Sequence, residues 1–131
     1  MQFESAPVVA GRSRIGFGAA LVRAVRLSFR PRGRASRPEF WYFFLAYVPL
    51  VLTLGSLENA VDEEWFYLLC TVLYLPWLVP FVSVGIRRLH DTGRSGWWCI
   101  GVLSCIGWII LTVLWSERGN PGENRFGPPP G

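Results

Sequence analysis

The residues best able to do chemistry fall in one short stretch, Arg87 to Trp98, which reads R-R-L-H-D-T-G-R-S-G-W-W. It holds the sole histidine of the chain, His90, beside Asp91 and close to Arg87, Arg88, Arg94 and Ser95. Two chemistries suit that set: His90 as a general base oriented by a carboxylate, or the three arginines as a phosphate site for a lipid headgroup. Neighbours in sequence rarely point at one another as a dyad needs, and the chain has no second histidine and no Gly-x-Ser-x-Gly elbow. The favoured reading is a tight connection between two helices. Thr92 and Gly93 form its turn, Ser95 caps the following helix and Asp91 pairs with a nearby arginine. Headgroup contact ranks next and catalysis last, so no catalytic residue is assigned.

A second stretch, F-R-P-R-G-R-A-S-R-P-E-F-W from Phe29 to Trp41, combines Arg34 and Arg37 with a helix start. Pro31 and Gly33 mark a turn, and Ser36-x-x-Glu39 fits a capping box with Pro38 tolerated in the first turn. Glu39 at a helix N-terminus is favourable on dipole grounds alone, which gives it a structural role without catalysis. Cys70, Cys99 and Cys105 lie in apolar surroundings with no Cys-x-x-Cys pair, so neither a disulfide framework nor a zinc site is expected, and no cofactor.

The elements that must position these residues are apolar and long. The runs Phe40 to Leu57, Trp65 to Ile86 and Trp97 to Trp115 contain no Asp, Glu, Lys, Arg or His over 18, 22 and 19 positions. At ~1.5 Å per residue against a hydrocarbon core of ~30 Å, each is long enough to span, the first only just. One mid-span charge would cost roughly 2.5–3.5 kcal/mol, so the absence of charge is what bilayer residence demands. The expected fold is an all-α membrane protein with three transmembrane helices, at 40–57, 65–86 and 97–115, and an N-terminal amphipathic interfacial helix. Residues 1–39 form its basic arm and 116–131 a polar Gly/Pro-rich tail.

Orientation follows from arginine. Eight precede the first run, none lies in the acidic stretch of Glu58, Asp62, Glu63 and Glu64, and Arg87, Arg88 and Arg94 follow the second run. Short basic segments stay cytoplasmic, so a multi-pass protein with a cytoplasmic N-terminus is expected. Arg12, Arg14, Arg23 and Arg26 interrupt any h-region, so a cleaved signal peptide is not expected. The tail, with Arg118 and Arg125 against Glu117 and Glu123, votes weakly. Gly101 and Gly107 in the third run leave a kinked or re-entrant segment open, although three full crossings are favoured. Trp115 is placed at a span end, at headgroup level, and Trp77 and Trp108 deeper between helices. Residues 15–30 read as a surface helix with Arg23, Arg26 and Arg30 on one face and Phe17, Leu21, Val25 and Phe29 on another, suited to anionic lipid. The tail is all turn formers, either a strap or disordered, with Asn124, Arg125 and Phe126 as possible anchors.

Three stretches together, 29–43, 87–98 and G-N-P-G-E-N-R-F-G-P-P-P at 119–130, resemble the DUF805 family of small bacterial inner-membrane proteins. The first departs slightly, with Pro31 and Arg32 in place of a shorter approach. The resemblance implies a bacterial inner-membrane location and a helical fold, and carries no biochemical activity with it. The leading expectation is a non-enzymatic envelope or assembly component. Arg34, Arg37, Arg87, Arg88, His90, Asp91 and Arg94 would meet anionic membrane lipids, a protein partner or a second copy, with Ser36, Glu39 and Ser95 as structural caps. Nucleic acid is not expected. A small oligomeric transporter or channel is the rival, although no span carries an ionisable residue. A membrane enzyme acting on lipid-linked substrates is third.

Overall fold

The computed structural model describes residues 15–61 and 63–130, so Arg12, Arg14 and Asp62 lie outside the described residues. Among the described residues five helical elements follow one another: α1 (Phe17–Arg26), α2 (Arg37–Ala60), α3 (Glu64–Asp91), a 3₁₀ helix (Gly96–Leu103) and α4 (Cys105–Ser116). Among the described residues there is no strand.

α2 starts where its cap lies. Ser36 is extended (φ −73°, ψ 161°) and its hydroxyl accepts the Glu39 amide at 3.3 Å, with proline in the first turn. At ~1.5 Å per residue, the 24 residues of α2 and 28 of α3 extend ~36 and ~42 Å, both beyond the ~30 Å of a hydrocarbon core. Core helices of a soluble protein would hide their apolar windows. Here only 11% of that of α2 and 33% of that of α3 is buried. Leu45 and Leu52 on α2 and Leu68, Val72 and Leu75 on α3 face outward instead. Apolar exposure on that scale marks a lipid-facing surface.

Two boundaries differ from the sequence reading. α3 continues to Asp91, so Arg87, Arg88, His90 and Asp91 sit in its last turns and not in a loop. Arg87, Arg88 and Asp91 are paired inside the protein, and Arg88 suits the negative end of the helix. α1 is shorter than the expected 15–30: Leu27, the residue that breaks the amphipathic pattern, is its C-cap. α1 packs through Ala20 and Ala24, both fully buried, and leaves Phe17, Val22 and Val25 outward. Phe17 meets Tyr42 edge-on at 5.7 Å, and the Ser83 hydroxyl donates to the Leu27 carbonyl at 2.8 Å, which lays α1 across α2 and α3.

The third apolar run is not one helix, contrary to the expectation of three crossings. Ser104 breaks it: its backbone is extended (φ −134°, ψ 147°), and its hydroxyl accepts the Gly107 amide at 3.0 Å to start α4. The 3₁₀ helix of 8 residues reaches ~16 Å at its ~2.0 Å rise, and the 12 residues of α4 reach ~18 Å. Neither arm spans ~30 Å. They fold as a hairpin because Gly107 presses on Gly101, where a Cβ on Gly107 would overlap the Gly101 backbone. Both ends of the hairpin stand at the C-terminal end of α3, since the Arg88 Nε donates to the Trp115 carbonyl at 2.9 Å.

Trp115 fills the core beneath that junction. It is buried, 4.5 Å from the Phe40 ring and 6.1 Å from Phe81, and its indole donates to the Gly85 carbonyl at 3.2 Å. The span-end position read from sequence is thus wrong for Trp115, while Trp77 and Trp108 are exposed. The indole of Trp115 has found an internal acceptor, which removes its reason to sit at the headgroups.

Candidate functional site

The α3 C-terminus gathers the connection after α1, the last helical turns and the tail into one ionic cap. Glu39, Arg34, Arg87, Arg88 and Asp91 are 0%, 4%, 1%, 0% and 2% exposed. Charges are this deeply buried only when paired, because taking one out of water costs several kcal/mol.

Asp91 is the hub. Its Oδ1 receives the Arg34 Nε at 2.9 Å and lies 2.8 Å from Nη2, while its Oδ2 receives the Arg88 Nη1. Its backbone carbonyl accepts the Asn120 amide at 2.8 Å. Arg34 then bolts the tail down, donating to the Gly122 carbonyl at 2.6 Å, the Gly127 carbonyl at 3.3 Å and the Asn120 carbonyl. Arg88 donates to the carbonyls of Trp115 and Glu117 at the C-terminal end of α4, where the helix dipole is negative. A Cβ at Gly119 would collide with the Asp91 carboxylate, so only glycine lets the tail pass this close.

Glu39 and Arg87 form the second buried pair at 2.7 Å, with the Arg23 Nε 3.5 Å from the other carboxylate oxygen. Glu39 therefore turns inward and does more than meet a helix dipole. Its Oε2 and the Nε and Nη2 of Arg87 have no hydrogen-bond partner among the described residues, so this pair is less well satisfied than the Asp91 cluster.

The remaining predicted site residues lie at the edge. Arg37 is exposed and donates from Nε to the Glu117 carbonyl at 2.8 Å, and Arg94 pairs with the Glu117 carboxylate. Ser95 caps the 3₁₀ helix, accepting from the Trp97 amide at 3.4 Å. Gly93 takes a left-handed conformation (φ 76°) in the turn after α3. His90 and Asp91 do not form a dyad: the carboxylate faces Arg34 and Arg88, while the His90 Nδ1 meets the Gly33 carbonyl at 3.1 Å. That contact assigns the proton to Nδ1. The imidazole stacks on Phe126 at 3.9 Å with 7° between planes, and the Arg125 guanidinium lies over the Phe126 ring, 4.7 Å from its centroid, and donates to the Gly93 carbonyl. The Asn124 side chain closes on the His90 carbonyl at 2.9 Å.

The structure thus joins all seven sequence-predicted residues in one region but buries four of them, and adds Glu117, Gly119 and Asn120. The signal for the tail residues was the G-N-P-G-E-N-R-F stretch. For Glu117 it was only a charge among others.

Burial lowers the His90 pKa below 6.5; the Gly33 bond opposes this and the Arg125 charge adds to it. A histidine depressed in the folded state binds fewer protons than the unfolded chain, so its contribution to stability is present above pH ~6.5 and is lost as pH falls below it. Between pH 7.5 and 5.5 the melting temperature should fall more in the wild type than in His90→Gln. Parallel pH profiles would show that His90 is not the titrating group.

Residues 28–128 match the family described as "Protein of unknown function (DUF805)". "Inner membrane protein YhaH" of Escherichia coli K12 is 40% identical over 103 residues, 76% of this chain and 85% of the relative. "Inner membrane protein YhaI" of the same strain is 37% identical over 100 residues, 75% and 83% of the two chains. "Uncharacterized protein YiiR" of that strain is 35% identical over 92 residues, 67% and 58% of the two chains. No solved structure matches the chain.

Proposed function

This chain belongs to the DUF805 family, and from that premise we propose a non-enzymatic envelope or assembly component of the bacterial inner membrane that presents an ionic cap at the cytoplasmic face. It crosses the bilayer twice, through α2 and α3, and inserts the 3₁₀ and α4 hairpin into one leaflet. Both the described N-terminal segment and the tail then lie on the cytoplasmic side, because the tail is bonded to Arg34 and Asp91. α1 lies at headgroup level, with its exposed valines toward lipid.

The observation that carries this reading is the division of labour among the arginines. Arg34, Arg87 and Arg88 are buried and occupied by protein groups. Exposed Arg30, Arg32 and Arg118 flank the cap residues and have no side-chain partner among the described residues. Around the cap, the headgroup contacts therefore fall to these three, with Arg37 and Arg94 beside them. The cap itself is a scaffold that holds them in place.

In reconstituted bilayers, spin-labelled phosphatidylglycerol should associate with the wild type in preference to phosphatidylcholine. Replacing Arg30, Arg32 and Arg118 together with Gln removes about 1 kcal/mol each, so the preference should fall at least tenfold. An undiminished preference in a correctly inserted variant would remove the proposed role.

A further inference from the structure

A cavity of about 440 Å³ opens between α1 and the α2 and α3 pair. Leu21 and Val25 line it from α1, Ala46 and Leu50 from α2 and Trp77 from α3. Such volumes, ~300–1,000 Å³, are typical of small-ligand sites, and an almost wholly apolar wall recognises hydrocarbon. The lining contains one charged residue, Arg26 in the last turn of α1, and that guanidinium is exposed with no partner among the described residues. In the cap, by contrast, the arginines are taken up by carboxylates and carbonyls. An apolar slot beside one unspent positive charge is complementary to a single class of molecule, an anionic lipid.

We propose that this slot holds one acyl chain of an anionic phospholipid, with the phosphate at Arg26. The wall residues on α2 run from Phe43 to Leu50, about 10 Å along the helix axis away from the cap, which is the direction an acyl chain takes from the headgroups toward the bilayer centre. α1 closes the slot like a belt because Ala20 and Ala24 bring its backbone near the bundle at one edge, while Val22 and Val25 remain uncovered at the other. An arginine gives the phosphate a charge-assisted, bidentate contact that a zwitterionic lipid satisfies less well, since its own ammonium competes. This site rests on the reading that α1 lies at headgroup level, but it is distinct from the rim of Arg30, Arg32 and Arg118.

The test is native mass spectrometry of the full chain in mild detergent with phosphatidylglycerol or phosphatidylcholine added. The wild type should retain one phosphatidylglycerol per chain and little phosphatidylcholine. Ala46→Trp fills the slot from α2 and should lower occupancy more than tenfold. Val22→Trp narrows it from an outward position on α1 and should lower it likewise, which guards against a folding defect in the first variant. Arg26→Gln should keep the adduct but bind the two lipids equally. Replacement of Arg30, Arg32 and Arg118 should leave the adduct intact, so that loss of the bilayer preference with a retained adduct separates the two readings. Equal retention of both lipids by the wild type, an adduct of detergent only, or full occupancy in both tryptophan variants overturns the proposal.

Discussion

Asp91→Asn should cost the fold about 3–5 kcal/mol, the amount expected when one partner of a buried ionic cluster is removed. Asparagine matches the carboxylate in size, so packing is preserved and only the charge is lost. Arg34 and Arg88, whose side chains are both 0% exposed, then share no carboxylate. One amide oxygen can accept from one of them, and the amide NH₂ faces the other donor to donor. A loss of that size is comparable to the whole stability of many domains, ~5–15 kcal/mol, and corresponds to a drop in melting temperature of roughly 10–20 °C. The damage should also spread along the chain. Arg34 holds the Asn120, Gly122 and Gly127 carbonyls, so the tail is released with it and trypsin should cut at Arg118 and Arg125 much faster. Glu39→Gln is the comparison: Arg87 already has two unbonded nitrogens there, so less is lost. Equal or reversed losses in the two variants would refute the role of Asp91 as the hub.

That hierarchy explains which features could be read in the sequence. Uncharged runs over α2 and α3 are properties of composition and length, and the helices appear where the runs are. Ser36 and its proline-bearing first turn act locally, so the start of α2 was legible to the residue. The inward turn of Arg87 and Arg88 was not. Two adjacent arginines after an apolar run fit the rule for cytoplasmic loops equally well whether they face water or, as Arg87 does, a carboxylate 48 positions earlier and, as Arg88 does, one three positions later. Asp91 was expected to pair with an arginine, and does, but its choice of Arg34 as well as Arg88 depends on a tail that must first fold back. Arg34 itself reads as one more positive charge until its three carbonyl partners in the tail are in place. The stretch around His90 drew attention as chemistry because it concentrates polar residues. What concentrates them is the need to neutralise charge at a junction of three chain segments.

The third apolar run shows the same limit and supplies the second large effect. By length alone its 19 uncharged residues, ~28 Å as a continuous helix, suffice for a crossing, and Ser104 is too ordinary a residue to forbid one. What selects the hairpin is the contact between Gly101 and Gly107, together with the anchoring of Trp115 and Glu117 by Arg88. Gly107→Leu should therefore do more than destabilise. It abolishes the close approach, since even a Cβ there overlaps the Gly101 backbone, and leucine favours the continuous helix at this position over glycine by up to ~1 kcal/mol. Opening the hairpin takes the tail away from Arg34 and Asp91, and with that anchor lost a continuous third helix is free to cross in part of the population. In the proposed topology a fluorescent reporter fused after Gly131 reports the cytoplasmic side for the wild type, and a phosphatase fusion there is inactive. In Gly107→Leu, phosphatase activity should emerge in a substantial fraction of chains, with trypsin sensitivity at Arg118 in the rest. Gly101→Ala should show a weaker form of the same change, because a Cβ there meets Gly107 and Leu111 at 3.3 Å, a distance small shifts can relieve. A wild-type tail that is already periplasmic would reject the hairpin, and an unchanged, protease-resistant tail in Gly107→Leu would show that the anchor at Arg88 holds it without the glycine contact.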